Sequence, residues 1–426
     1  MKVLIISHNP ISTYQSMGKT FLSLFSEFHK EELCQLYIYP TISDIDVCSS
    51  YYRITDKDIL KSYFHWGKVS SREIKNDEID ITKHEKFENK QDEKLYNQKK
   101  NYFTMLGRDI MWKCSRYYNT SLQNWLDKEK PTCIFLAPGE AKFIYDLAMK
   151  ISQKCNLPII TYICDEFYFV KRPKKILGKI QLKLLQNKIE KLMRNTTSII
   201  TICDELNQQY SEKFHIPALT IMTGTNYSIA EKERDIEEIN SITYLGNLAY
   251  RRDESIIEIG EVLDKIKQDC NISCTLKLYT GSIDEQTREA IKNIKSIKYC
   301  GYVTGEEFLK AFYEAQLLLH VEAFDKECID RVKNSISTKI ADSLGSGIPL
   351  LAYGPENIAS ISYLKKNECA FVIDHKDYLE ESLKQVLLNG KKQNQIVKNA
   401  LKIAKENHQS DINSKRLYSY ITNETS

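Results

Sequence analysis

The sequence predicts an α/β fold of two lobes, each built on a parallel sheet, and three observations predict it. Short apolar runs, nearly unbroken by polar residues, recur over 3–7, 133–137, 158–163 and 317–321. Such runs suit strands covered on both faces. Helix-length segments alternate with them, as the crossover connections of parallel strands require. The rhythm also starts twice, at the N-terminus and again at residue 241, across a charged stretch over 227–240 with no apolar period. At 426 residues the chain is long enough for two or three domains with large cores.

In the first lobe a strand over 3–7 leads through a loop to a helix that begins near Gly18 and runs to about residue 28. Met17-Gly18-Lys19-Thr20 is not a phosphate-binding P-loop, because the first glycine of that motif falls on Thr13. The strand is not followed by GxGxxG either, which excludes a dinucleotide loop. A second strand is expected over 34–39. Residues 67–101 are polar and strongly charged, which predicts an inserted arm without chemistry. Strands over 133–137, 158–163 and 198–202 follow, with a helix over 139–154. Open parallel sheets bind ligands at the carboxyl ends of their strands, so Asp165, just past the strand over 158–163, is a candidate to remove a proton from a hydroxyl or to bind the molecule that bears it without taking the proton. A helix cap is the plain alternative.

Composition narrows the class. Hydrophobic residues make up 42% and charged residues 27%, so the chain as a whole is not disordered. The opening apolar run is too short for a signal peptide, and no stretch approaches about 18 apolar residues, which predicts a cytoplasmic protein. The 12 cysteines contain no CxxC and read as reduced core thiols; no metal site is expected. Net charge is only +3, yet residues 171–194 carry nine basic residues and one acidic, a net of +8 that leaves −5 for the remainder. There Lys175, Lys179 and Lys183 form one helical stripe and Leu177, Ile180 and Leu184 another. Such a helix can rest on an anionic membrane surface or simply face solvent. Nucleic acid is not expected as a partner, because aromatic interleaving and a recognisable motif are missing.

The second lobe opens with a strand over 241–246 that runs into Gly246, a loop over 247–252 and a helix over 253–269. Strands over 275–279, 297–300 and 317–321 alternate with helices over 284–292 and 305–315, and 322–334 reads as a loop. It delivers SISTKIADSLGSGIPLLAYGP, residues 335–355. This segment reads as a helix followed by a buried strand, with Ser335 or Ser337 as N-cap and Gly345 or Gly347 as its end. Lys339 and Asp342 are three apart and share a face. A lysine in the first turn adds to the positive helix end, which favours phosphate, and an aspartate one turn later can accept both hydroxyls of a ribose.

SISTKIADSLGSGIPLLAYGP resembles the nucleotide-sugar segment of GT-B-fold glycosyltransferases, especially bacterial enzymes that build capsular and other surface polysaccharides. The resemblance implies two Rossmann-like lobes: an acceptor-side lobe over 1–228, a donor lobe over 241–407 and a crossing helix over 408–426. It implies that Asp342 holds the donor ribose and that Arg251 or Arg252, in the loop after Gly246, neutralises the leaving diphosphate together with Lys339. Ser337 and Thr338 would meet the phosphates at the helix start, Tyr302 and Val303 would border the base, and Gly18 would lie near donor or acceptor. Asp165 would face the acceptor, a saccharide or polyprenyl-linked saccharide. No cofactor beyond the nucleotide sugar is implied. Retaining members carry two glutamates separated by seven residues, where this chain has Asn334 and Asp342. A nucleotide-sugar epimerase and a non-catalytic nucleotide-sugar-binding partner of a synthase are the rival readings.

Overall fold

The structure is a computed structural model that describes residues 1–13, 16–64, 71–74, 79, 102–170, 173, 175–225, 227–232, 238–281, 283–388 and 390–425. The chain forms two compact units, residues 1–223 with 410–426, and residues 224–409.

The first unit is built on eight strands: β1 (Val3–Ser7), β2 (Leu33–Tyr37), β3 (Ser50–Arg53), β4 (Arg72–Ile74), β5 (Cys133–Ala137), β6 (Ile159–Ile163), β7 (Thr196–Thr201) and β8 (Ala218–Thr220). Their order is β4-β3-β2-β1-β5-β6-β7-β8. All neighbours are parallel except β3 and β4, where Tyr51 faces Ile74 in antiparallel register. The apolar run of β1 is fully buried because it lies between β2 and β5, with Val3 opposite both Leu33 and Cys133. The last helix, Ser410–Thr425, belongs to this unit. It packs on the helix Ser16–Leu24, and the Tyr418 hydroxyl donates to Glu32 at 2.9 Å.

The second unit holds six parallel strands, β9 (Ser241–Leu245), β10 (Thr275–Tyr279), β11 (Ile297–Gly301), β12 (Leu317–Val321), β13 (Leu350–Tyr353) and β14 (Phe371–Ile373), in the order β11-β10-β9-β12-β13-β14. Ile256, Ile259 and Leu263 of the helix Arg252–Cys270 bury against Ile242 and Leu276 of the sheet. The i, i+3, i+7 spacing of those three explains why the helix has one apolar face.

Two expectations change, and two more fall partly outside the described residues. Residues 322–334 are not a plain loop: the helix Lys326–Val332 forms there, because the Asp325 carboxylate accepts from the amides of Glu327 and Cys328 at 3.0 and 3.1 Å. The start of the expected linker is docked within the second unit. Tyr227 packs its ring against Phe312 and Tyr313, and the Ala230 amide donates to the Gly345 carbonyl. Most of the charged insertion over 67–101, and Lys171, Arg172 and Lys174 of the basic segment, lie outside the described residues; β4 forms within the former.

Gly18 has a packing reason. A Cβ there would sit 2.6 Å from the Ser12 amide nitrogen and 2.8 Å from its carbonyl oxygen, so the loop after β1 crosses the helix start at backbone distance. Neither atom can yield as a flexible side chain can. Gly18→Ala is therefore expected to destabilise the first unit by about 1–3 kcal/mol. Gly107→Ala, in a helix where a Cβ meets nothing within 4 Å, should instead be neutral or stabilising by up to about 1 kcal/mol. Urea denaturation of the two variants checks this; equal midpoints would remove the packing argument.

Candidate functional site

The second sheet reverses its winding between β9 and β12: the chain moves outward through β10 and β11, then returns to place β12, β13 and β14 on the other side. At such a reversal the crossovers leave on opposite faces, and a crevice opens at the carboxyl ends of the two central strands. A cleft open to solvent lies there. Among its lining residues are Thr243 and Leu245 of β9, Arg252, His320 of β12, and Ser337, Lys339 and Asp342 at the start of the helix Thr338–Gly345.

Gly246 follows the lining residue Leu245 and meets Lys339. A Cβ on it would fall 2.5 Å from Lys339 Nζ and 3.0 Å from the Tyr244 hydroxyl. The lysine ammonium thus lies over the backbone of the loop after β9, in space that a side chain at 246 would fill. Tyr244 fixes the same loop by donating to the Asn247 carbonyl at 2.6 Å. Asp342 Oδ1 accepts from the Thr225 hydroxyl at 2.8 Å. Ser337 is the residue before the helix but makes no side-chain cap bond, and Gly347, at φ 74°, turns the chain toward β13.

Glu322, 4% exposed at the side chain, holds Arg252 in a two-point pair: Nη2 to Oε1 at 2.8 Å and Nε to Oε2 at 3.1 Å. The third guanidinium nitrogen, Nη1, donates to Asn247 Oδ1 at 3.2 Å. Burial raises the Glu322 carboxyl above its ordinary range, while Arg252 and Lys339 pull it back. The His320 ring lies beside them, with Nε2 3.1 Å from Ser360 Oγ and 3.7 Å from Glu322 Oε1. Its pKa is pushed down to about 3, first by burial and then by the charges of Arg252 and Lys339, so the ring is neutral near pH 7.

The structure brings Gly246, Arg252, Ser337, Lys339 and Asp342 together. It does not bring Arg251: that side chain is half exposed, ion-paired to Glu254 and, at 3.0 Å, to Asp325, and is not among the cleft's lining residues. Thr338 is half-buried beside the cleft without lining it. Tyr302, 73% exposed, and Val303, half-buried, lie outside its lining as well. Asp165 is exposed on the loop after β6, in the first unit, at a small hollow that Tyr162 and Tyr210 also line. It is not a helix cap, since the next described helix starts at Ile176; the loop is shaped by Glu166, which accepts from the amides of Tyr168 and Phe169. Gly18 also belongs to the first unit. Sequence reading missed Glu322, His320 and Thr225. The available signal for the first two was their place at the carboxyl end of a strand beside the reversal.

No protein-family model matches the chain, and no curated protein matches it. Solved structures do. The chain is similar to HepE of Anabaena in complex with UDP-glucose (TM-score 0.59, 11% identity, 99% of this chain and 100% of that one). It is similar to sucrose-phosphate synthase of Thermosynechococcus elongatus (0.58, 12%, 99% and 98%). It is also similar to α,α-trehalose 6-phosphate synthase of Burkholderia multivorans (0.58, 11%, 99% and 99%). The shared fold is the GT-B fold, with two Rossmann-like lobes.

The buried neutral histidine makes stability depend on pH. Its folded pKa of about 3 lies below the value of about 6.5 for a solvated imidazole. The unfolded chain therefore binds the extra proton, and stability is lost as pH falls from about 6.5 toward 3. The added slope is about 1.4 kcal/mol per pH unit at most. Glu322, whose carboxyl is raised, acts in the opposite sense, so the histidine is isolated by comparison with His320→Gln. Urea denaturation of the two proteins between pH 7 and pH 4 should show stabilities that diverge by this slope; parallel curves would mean that the ring is not held neutral.

Proposed function

We propose that this chain is a glycosyltransferase that takes a sugar from a nucleoside diphosphate donor held in the second unit's cleft and gives it to a saccharide. In this reading the acceptor is lipid-linked and serves cell-surface polysaccharide synthesis. One observation carries the donor assignment: Gly246 and Lys339, 93 positions apart in sequence, meet at the switch point with the ammonium over bare backbone. Room at 246 and a cation beside it suit a diphosphate approaching the loop. HepE, on the same fold, is described with UDP-glucose bound, which supports the same class of donor.

The roles follow from charge. As the bond between sugar and diphosphate breaks, negative charge collects on the leaving phosphate, and groups already fixed around that position stabilise it without reorganising. Lys339 and the amides at the start of the helix Thr338–Gly345 supply that field. Arg252 has its three nitrogens engaged by Glu322 and Asn247, so it contributes charge and holds the loop rather than forking onto phosphate. Asp342, steadied by Thr225, accepts the ribose hydroxyls. Asp165, on the acceptor lobe, receives the hydroxyl proton or binds the acceptor. The enzyme acts in the cytoplasm in this scheme.

Titration calorimetry with UDP, and with GDP in parallel, tests the donor site. Asp342→Asn should weaken the preferred nucleotide by about 1.5–3 kcal/mol, roughly ten- to a hundredfold, with an unchanged melting temperature. Gly246→Ala should weaken it too, because the methyl displaces Lys339 Nζ, a flexible end that can move without unfolding the sheet. Unaltered affinity in both variants would remove the cleft as donor site.

For Asp165→Asn the expected result is turnover lowered by about 10²–10⁴ with nucleotide affinity unchanged. Wild-type turnover would withdraw its role. Nucleoside diphosphate released only when an acceptor is present separates transfer from epimerisation.

A further inference from the structure

The helix Ile176–Met193 buries Leu182, Leu185, Ile189, Leu192 and Met193 against the first unit. Its other side is of mixed character. Ile176 is 75% exposed, and Ile180 and Leu184, at four-residue steps, are exposed with it. Lys175, Lys179 and Lys183 form the adjoining stripe and are exposed too, as are Lys191 and Arg194 further along. Single exposed apolar side chains are ordinary, but three in register along one helix, flanked by a lysine stripe, are the composition of a helix that lies in a lipid interface.

The surroundings extend the same character. The helix Tyr102–Cys114 packs against this one and exposes Phe103, at 71%, and Ile110. Three carboxylates of this region are paired within the unit. Glu190, the acidic residue of the basic segment, accepts from the Tyr168 hydroxyl at 2.9 Å; Asp146 pairs with Lys188, and Asp109 pairs with Lys142 at 2.6 Å. None of the described helices is long and apolar enough to cross a membrane, so what these residues offer is a face.

We propose that the first unit docks on an anionic lipid surface through the exposed face of the helix Ile176–Met193, with Phe103 and Ile110 beside it. The lysines meet lipid phosphates and carry the association at long range; Ile176, Ile180 and Leu184 then enter the headgroup layer and are removed from water. The occupant is chosen by charge complementarity. A net +8 segment in a chain whose remainder carries −5 selects a surface that is both anionic and apolar beneath its charge, whereas a nucleic acid would leave the isoleucines exposed.

The test uses the full chain and sedimentation with phosphatidylcholine vesicles, with and without about one third phosphatidylglycerol. Binding should require the anionic lipid and fall with added salt. Lys175→Gln/Lys179→Gln/Lys183→Gln should lower the partition coefficient about a hundredfold, about 1 kcal/mol per lysine at about 1.4 kcal/mol per tenfold. Ile176→Ser/Ile180→Ser should lower it on the same vesicles although no charge changes. All five positions are exposed, so circular dichroism and UDP affinity should match the wild type; that keeps a failure here distinct from a failure of the donor reading. Equal binding to neutral and anionic vesicles, or indifference to the lysine triple, overturns the proposal. So does concentration-dependent self-association that the triple abolishes without any lipid binding, which would assign the face to a second copy of the chain.

Discussion

The second unit depends on one constraint: a parallel sheet that winds outward on both sides of its first strand must leave an open crevice where the winding reverses. Here the reversal falls between β9 and β12. Their crossovers depart on opposite faces, so no helix covers the carboxyl ends of Leu245 and Val321. The loop after β9, the end of β12 and the helix Thr338–Gly345 converge on that opening, and nearly every polar group of the cleft comes from one of these three. The first sheet reverses between β1 and β5 under the same rule, and the loop that crosses Gly18 leaves from that point.

Burial then decides the electrostatics. Arg252 and Glu322, both largely buried, would each be costly alone, and removing either partner of such a pair leaves an uncompensated charge, at a cost of about 3–5 kcal/mol. Paired at two points, they form a nearly neutral, rigid base that fixes the loop over 247–252 to the end of β12. His320 yields to the same field by staying unprotonated. Arg252 and Lys339 are the two cations that line the cleft, and the ammonium of Lys339 lies over the backbone at Gly246.

Much of this was legible in the sequence, for identifiable reasons. Unbroken apolar runs mark parallel strands because both faces are covered, and the three-residue spacing of Lys339 and Asp342 puts them on one helix face whatever lies opposite. Contacts between distant segments were not legible. The sequence offered Arg251 and Arg252 as equals; a left-handed turn at Tyr250 and Arg251 leaves the former with Glu254 and Asp325 and sends the latter to Glu322, 70 positions away. The docking of Tyr227 on Phe312 was hidden because the charged residues after it resemble a linker in composition.

By itself, then, the sequence determined periodicity and local geometry: which runs are strands, where the helix that carries Lys339 and Asp342 begins, and which side chains share its face. These follow from interactions within a few residues and survive any tertiary context. Tertiary structure decided which charges meet. It paired Arg252 with Glu322, set Lys339 over Gly246, gave Asp342 to Thr225, and turned Leu182 and Leu185 inward while leaving Ile176 and Ile180 in water. Those outcomes depend on strand order and on which face of a helix meets the sheet, quantities that no local pattern encodes because the partners are brought together only when the whole core closes.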